Sequence, residues 1–427
     1  MIIEQKEEIK LNEVYIVDAC MGTGKTSAMI NMINKSSKDE CFLYVTPLLS
    51  ETDRIVGSCV DKSFKAPQKK YNEKTKVKNK KEGILELLRN KENIVTTHAL
   101  FHLFNEEMLE LCRKHKYTLV LDESTDVISE YKLKPDDFLD FMELHAEVDA
   151  EDRVHWVNRK TRSQDTYEGD KFLAERELCE LGGVTAYKDS ALLYVFPLKI
   201  FDSFAKTYVL TYLFKGQMQR YYYDYYGVNY KYLYVKGYSL KDYSITDVPQ
   251  AYSTPSEFKS LIHICDHKRL NAIGELPYSL SKTWFESNGS DSFNLKDLKN
   301  NMRTYFWRMQ GGNSANCLWS VFNDFQDKCS PVGYSKSFLS CNTRASNDYR
   351  DAEHLAYAIN LFLNPCVKNF FGTHYIEVDD DMYSLSTMIQ WIWRSRIRDG
   401  KDISIYIPSM RMRTLFENWL NNKYVEV

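Results

Sequence analysis

The chain has 427 residues, enough for two domains with separate cores. With 56 basic against 59 acidic side chains and a pI near 6.3, bulk charge neither demands nor excludes a polyanionic partner, so any nucleic-acid site must be local. Ten cysteines without a spacing framework argue against a disulfide scaffold, and the lack of a leader-like start or of an apolar run near ~20 residues points away from membranes, toward a soluble protein of the bacterial cytoplasm, host- or phage-encoded.

Met1 to Asn12 is a polar lead-in. Val14 to Val17 is a β-rich apolar run and predicts a buried strand, and Ser27 to Asn34 carries helical apolar spacing. Between them stands Ala19-Cys-Met-Gly-Thr-Gly-Lys-Thr26. Strand, glycine turn, Lys-Thr and helix is the context of a phosphate-binding loop. Gly22 and Gly24 let backbone N–H groups turn inward, with Thr23 between them, and Ser27 continues the cradle. Lys25 is expected on the β- and γ-phosphates, Thr26 on Mg²⁺, with the helix N-terminus adding its positive dipole end.

Cys41 to Val45 predicts a second buried strand, running into Thr46-Pro47 and a helix over Ser50 to Ile55. Asp61 to Glu82 carries nine lysines, read either as a solvated loop or as a contact to a nucleic-acid backbone. A short helix over Gly83 to Arg89 and a strand over Asn93 to Thr97 follow, and His98 starts another helix. Tyr117 to Leu121 predicts a strand that delivers Asp122-Glu123-Ser124-Thr125 at its C-terminal end. Behind a phosphate loop, that placement suits Asp122 as a Mg²⁺ ligand and Glu123 as the residue that orients or deprotonates water.

Residues of about 130–205 read as an insertion, with helices over Pro135 to Asp152 and Lys171 to Leu181. Trp156 among Arg153, Arg159, Lys160 and Arg162 is either part of a surface subdomain or a stacking site for single strands. Lys206 to Thr211 returns to strand character, and the tyrosine-rich run after it predicts a helix with an aromatic packing face, then a strand over Lys231 to Val235. The polar stretch from Tyr238 to Glu257 marks the domain boundary, giving domains 1–250 and 251–427. Beyond it strands are expected at Ser260–Cys265, Cys317–Phe322, Ser337–Cys341, Tyr375–Val378 and Ile403–Ile407. Helices are expected at Leu298–Gln310, Ala352–Phe362, Leu385–Ile397 and Met410–Asn421. The alternation implies a second parallel sheet without a phosphate loop of its own. Gln390-Trp-Ile-Trp-Arg-Ser-Arg-Ile-Arg398 places Gln390, Arg394 and Arg398 on one helix, the two arginines sharing a face. An arginine held across a domain cleft can neutralise charge developing on a γ-phosphate. A solvated face paired with Asp379, Asp380 and Asp381 is the plain alternative.

These stretches, in this order, resemble superfamily 2 helicases of the DExx-box type, particularly compact phage and mobile-element replication helicases and, more loosely, viral origin-binding helicases. Ala19–Thr26 looks like motif I, Thr46–Ile55 like Ia, Thr96–Phe101 like Ib and Asp122–Thr125 like II. Val209–Thr211 looks like III, Cys317–Phe322 like IV, Asn342–Asp348 like V and Gln390–Arg398 like VI. Thr125 stands where His or Asp is usual, Trp393 where Gly is usual and Ile397 at the usual second-arginine position, which leaves Arg394, Arg396 and Arg398 as finger candidates.

The resemblance implies an α/β fold of two tandem RecA-like P-loop NTPase domains with parallel sheets, the insertion lying in the first. It implies ATP and Mg²⁺ in the cleft and nucleic acid across both domains, contacted near Thr46, Pro47, Thr97, His98, Thr343 and Arg344. DNA is taken over RNA from the likeness to replication proteins alone, with replication or recombination proteins as possible partners. The implied activity is an ATP-dependent helicase or translocase. A nucleic-acid-stimulated ATPase that remodels a complex without unwinding is the alternative; a packaging motor or a small-molecule kinase fits less of the chain.

Overall fold

The computed structural model describes residues 12–72, 77–157, 171–187, 191–249, 255–289, 292–342 and 349–424. Eight strands form one sheet in the spatial order Ser244–Thr246, Tyr230–Lys236, Glu13–Asp18, Lys206–Thr211, Thr118–Asp122, Phe42–Thr46, Asn93–Thr97 and Phe64–Lys65. All neighbours run parallel except the first pair. The central strands Phe42–Thr46 and Thr118–Asp122 are largely apolar and buried because both faces are covered. Phe42 and Tyr44 point into one core with Ala28, Met29 and Ile33 of the helix Lys25–Lys35. Leu43 and Val45, one residue out of phase, point into the opposite core with Leu119, Leu121 and Val209.

The second sheet has four parallel strands in the order Ile262–Ile264, Ile403–Tyr406, His354–Tyr357 and Cys317–Ser320. Two tandem parallel-sheet units, the expected α/β architecture, are therefore present. Between the strands Thr118–Asp122 and Lys206–Thr211 the chain makes a small subdomain, joined to the first unit's core through Ile128, Leu193 and Val195. It has an antiparallel sheet of Val184–Tyr187, Ala191–Val195 and Ile128–Tyr131, a strand pair Ala146–Val148 and Val154–Trp156, and the helices Pro135–Leu144 and Leu173–Leu181. Phe141, Phe172, Cys179 and Leu192 belong to its core. Among the described residues no helix is long and apolar enough to cross a membrane.

Several element assignments differ from the sequence expectation. The helix expected over Ala352–Phe362 is instead a strand, His354–Tyr357, buried on both faces between its neighbours. A continuous apolar run satisfies both periodicities, so its sheet position decided. Pro365 does not end a helix but begins one, Pro365–Thr373, with the Asn364 side chain accepting from the Cys366 N–H. Ser337–Cys341 contributes only an isolated bridge, Phe338 to Trp319. Tyr375–Val378 is not a strand; it leads to the Asp379 cap of the helix Asp380–Ile392, where that side chain accepts from the Asp381 and Met382 N–H groups. That helix ends at Ile392, short of the expected Ile397, so Arg394 and Arg398 do not share a helix face.

The two units are in close contact. The helix Pro365–Thr373 puts Val367, Phe370 and Phe371 into the first unit's core, against Tyr221 and Tyr225. Gly216 lies so near the helix Asp380–Ile392 that a β-carbon there would stand 2.3 Å from the Met382 carbonyl oxygen. Gly216→Ala should therefore destabilise the protein by about 1–3 kcal/mol through overpacking. Denaturant unfolding checks this; a wild-type midpoint would mean that the contact is not made in solution.

Candidate active site

The glycine loop follows the strand Glu13–Asp18. Asp18 is half-buried, and its carboxylate accepts from the N–H groups of Leu213 and Phe214, at 2.9 and 3.0 Å, which ties the end of this strand to the chain leaving its neighbour Lys206–Thr211. Gly22 and Gly24 take φ values of 81° and 84°, conformations that a side chain would oppose. Gly24 is the N-cap of the helix Lys25–Lys35, which has no acidic side chain in its first turn. A β-carbon on Gly24 would strike the face of the Tyr243 ring. Lys25 lies folded back on its loop, with Nζ donating to the carbonyls of Ala19 and Cys20 at 2.6 and 3.1 Å. The Thr23 hydroxyl also turns inward, to Cys20 O at 2.6 Å. A helix N-terminus, inward N–H groups and one ammonium make an anion site.

Asp122 stands at the end of its strand, across from the loop. The Thr26 hydroxyl donates to its Oδ2 at 3.2 Å and the Tyr44 hydroxyl donates to the same oxygen at 3.0 Å. Burial, and then the neighbouring Glu123, push the Asp122 carboxyl up to about 6. Tyr44 was not among the expected site residues; its only sequence signal is a polar tip inside a buried apolar strand. Glu123 adopts φ 75°, in the left-handed region, and its N–H donates to Leu210 O at 2.9 Å. This bend turns its side chain into the cleft and away from the strand's course.

The second unit faces these carboxylates with the end of the helix Asp380–Ile392 and the 3₁₀ turn Arg396–Asp399. Gln390, Arg394 and Arg398 line a cleft of about 370 Å³ together with Gly22, Gly24, Lys25, Thr26, Ser27, Asp122 and Glu123. Arg394 is lowered from its usual pKa by burial and by Arg398, while Glu123 and Asp122 oppose the shift. Arg396 is used elsewhere: it pairs with Glu353 at 2.7 Å and Asp402 at 3.0 Å, leaving Arg394 and Arg398 as the cleft arginines. Asp399, next to Arg398, is held by a two-pronged contact from Arg350. Leu240 and Tyr243 complete the rim. Their carbonyls accept from Asn31 on the helix behind the loop.

Of the expected nucleic-acid contacts, Thr46 and Thr97 are register partners at the ends of adjacent strands, and Pro47 and His98 follow them directly. Thr46 is buried and holds the Leu48 N–H at its own hydroxyl, 3.4 Å away, and Pro47 lines the nucleotide-sized cleft. Thr97 precedes the short helix His98–Phe101 as its cap residue. His98 is engaged with Thr125 and with the Asp122 carbonyl. Thr343 and Arg344 lie outside the described residues. In the lysine-rich stretch, Lys62 is buried, with Nζ donating to the carbonyls of Ser37 and Glu40, and Lys65 pairs with Glu92 at 2.7 Å. Trp156 stacks on His145 with centroids 4.7 Å apart and joins the insertion's own core, so it is a packing residue and not an open stacking platform. Tyr221, Tyr222 and Tyr223 are likewise buried.

A second cleft, of about 720 Å³, lies between the units next to the first and shares Gln390 with it. His98, His102, Thr125, Asp126 and Tyr194 stand on its first-unit side, with Asn342, Asn364 and Thr387 opposite.

Comparison with known proteins gives the family and the fold. Residues 256–420 match the family model described as the YonV C-terminal Rossmann-like domain. Among solved structures, an XPD helicase superposes with a TM-score of 0.50 at 12% identity, covering 97% of this chain and 95% of that one. Xpd4 of S. tokodaii gives a TM-score of 0.48 at 11% identity, covering 95% and 94%. The first of these shows the fold, a two-domain α/β arrangement like that of the XPD helicase. The SPbeta prophage-derived protein YonV of Bacillus subtilis (strain 168) is 37% identical over 417 residues, which are 97% of this chain and 100% of that protein. The chain belongs to the YonV family.

Proposed function

We propose that the chain is an ATP-dependent nucleic-acid translocase of the superfamily 2 helicase type, acting on DNA in phage or mobile-element replication or repair. The observation that carries this reading is one cleft lined by a left-handed glycine loop, Lys25, Thr26, Asp122 and Glu123 from one unit and Gln390, Arg394 and Arg398 from the other. A prophage-derived relative supports the phage setting. Replication or recombination proteins are the partners that this setting entails.

The residues suit ATP and Mg²⁺. Gly22 and Gly24 leave room for phosphate oxygens against backbone N–H groups, and Ser27 lines the same floor. Lys25 exchanges the carbonyls of Ala19 and Cys20 for the β- and γ-phosphates. Thr26 and Asp122, already in contact, form the hard oxygen pair that would hold Mg²⁺. When bound, the ion neutralises phosphate charge. Glu123 orients the attacking water and takes its proton. Arg394, held beside Glu123, stabilises charge building on the γ-phosphate, with Arg398 next to it. Since the two arginines arrive from the second unit, the catalytic set is complete only when the units are closed. Hydrolysis and reopening would then move the protein along a strand.

Two sets of outcomes follow. Lys25→Ala should abolish ATP hydrolysis. Glu123→Gln should abolish it too while retaining nucleotide binding, because the phosphate cradle is untouched; normal turnover by Glu123→Gln would refute the assignment of the water-activating residue. Steady-state rates with single-stranded DNA, duplex DNA and RNA then separate a motor from a remodelling ATPase, whose Lys25-dependent rate would be indifferent to all three. For the arginines, Arg394→Ala should lower kcat on the order of a thousandfold with little change in ATP affinity. Arg398→Ala should have the smaller effect; a larger loss there, at constant affinity, would transfer the finger role to Arg398.

A further inference from the structure

We infer that Tyr194, His102, Thr125 and His98 form a positioning chain through which the insertion controls Glu123, and that this chain couples strand binding to hydrolysis. The inference rests on the ATPase reading above. Four hydrogen bonds make up the chain. Tyr194 OH meets His102 Nδ1 at 2.9 Å, and His102 Nε2 meets Thr125 Oγ1 at 2.8 Å. Thr125 Oγ1 meets His98 Nδ1 at 3.2 Å, and His98 Nε2 meets the Asp122 carbonyl oxygen at 3.1 Å.

With both imidazoles neutral, the direction of every proton follows from the last contact. A carbonyl oxygen only accepts, so His98 Nε2 carries hydrogen. In a neutral ring Nδ1 is then an acceptor, so the Thr125 hydroxyl donates to it. That hydroxyl has a single hydrogen, so it must accept from His102 Nε2–H. His102 Nδ1 in turn accepts from the Tyr194 hydroxyl. All four bonds point one way, from the insertion to the peptide bond joining Asp122 and Glu123. Such aligned bonds polarise and reinforce one another.

The far end is where restraint is needed. Glu123 holds a left-handed φ of 75°, a conformation that survives only when its surroundings over-determine it. Its N–H is held by Leu210 O at 2.9 Å, and His98 holds the carbonyl on the other side of the same peptide. Thr125 is buried and is fixed a second time, its N–H donating to Gln219 Oε1 at 3.0 Å. The near end belongs to the middle strand of the insertion's sheet, Ala191–Val195. A displacement of that strand therefore changes the restraint on the water-activating residue.

The chain stands in the wall of the 720 Å³ cleft. Among the described residues lining that cleft are hydroxyls, amides, Asp126 and Glu130, but no lysine or arginine. The input to the chain is then the position of the strand Ala191–Val195, from which Tyr194 reaches the cleft.

The test uses the full-length protein and its Tyr194→Phe, Thr125→Val and Thr125→Ser variants. Tyr194→Phe keeps the ring and its packing and removes one hydroxyl. Hydrolysis is measured with and without saturating oligothymidylate, and affinity for the labelled oligonucleotide is measured by fluorescence anisotropy. The expected result is a stimulated kcat about tenfold lower in Tyr194→Phe and Thr125→Val, an ordinary size for coupling between sites. Oligonucleotide affinity and the KM for ATP should be unchanged, and Thr125→Ser should restore stimulation. Wild-type stimulation in both variants overturns the chain, as does a loss that merely follows oligonucleotide affinity or the unfolded fraction. A wild-type rate that depends on Lys25 but ignores the oligonucleotide overturns the coupling while leaving the ATPase standing. A rate independent of Lys25 removes the reading beneath it.

Discussion

The site depends on one half-buried carboxylate. Asp122 ends a strand that is buried up to that residue and flanked on both edges by other strands. That burial is tolerable because two hydroxyls, from Thr26 and Tyr44, donate to the same oxygen. The contact also sets the distance between the glycine loop and the opposite strand end, and hence the width of the cleft between them. Parallel strands make this possible: their C-terminal ends all emerge on one edge, so a loop after one strand and an acidic pair after another meet without any long-range design of loops.

The second constraint is the contact between the two units. Neither unit contains both the carboxylates and the arginines. Their meeting is set by apolar packing far from the chemistry: Phe370 and Phe371 against Tyr225 and Tyr221, and backbone against backbone at Gly216 and Met382. The Trp419 indole N–H adds a bond to the Tyr212 hydroxyl, in the chain leaving the strand Lys206–Thr211. Cys20 of the glycine loop itself belongs to the second unit's core cluster. A change in how the units pack is therefore felt directly at the loop, which is the mechanical requirement for a cycle of closing and opening.

The insertion connects two strands that are hydrogen-bonded neighbours in the first sheet. It leaves the chain just after Asp122–Thr125 and returns just before the strand Lys206–Thr211, so its root is adjacent to the carboxylates by connectivity alone. It has a core of its own around Phe141, Phe172 and Leu192, and it is tied to the first unit where Leu193 and Val195 join that unit's core. Thr125 departs from the helicase pattern, and its partners are the two histidines of the segment 98–102 and Gln219.

What the sequence by itself determined was local and repetitive. The buried strands at Val14–Val17, Cys41–Val45, Asn93–Thr97 and Tyr117–Leu121 were legible because each is a short run rich in β-branched, aromatic or aliphatic residues bounded by polar ones. The glycine loop was legible because left-handed backbone demands glycine, and the acidic pair because it ends a strand of the same sheet. Tertiary structure alone decided the rest. His354–Tyr357 is a strand because it lies between two others, although its residues suit a helix equally well. Arg396 is bound to Glu353 and Asp402 while Arg394 and Arg398 reach the cleft, a choice made where the helix ends at Ile392. Tyr44, His102, Gln219 and Tyr194 gave no signal in one dimension, because a single polar side chain in an apolar segment acquires meaning only from the group that the fold places against it.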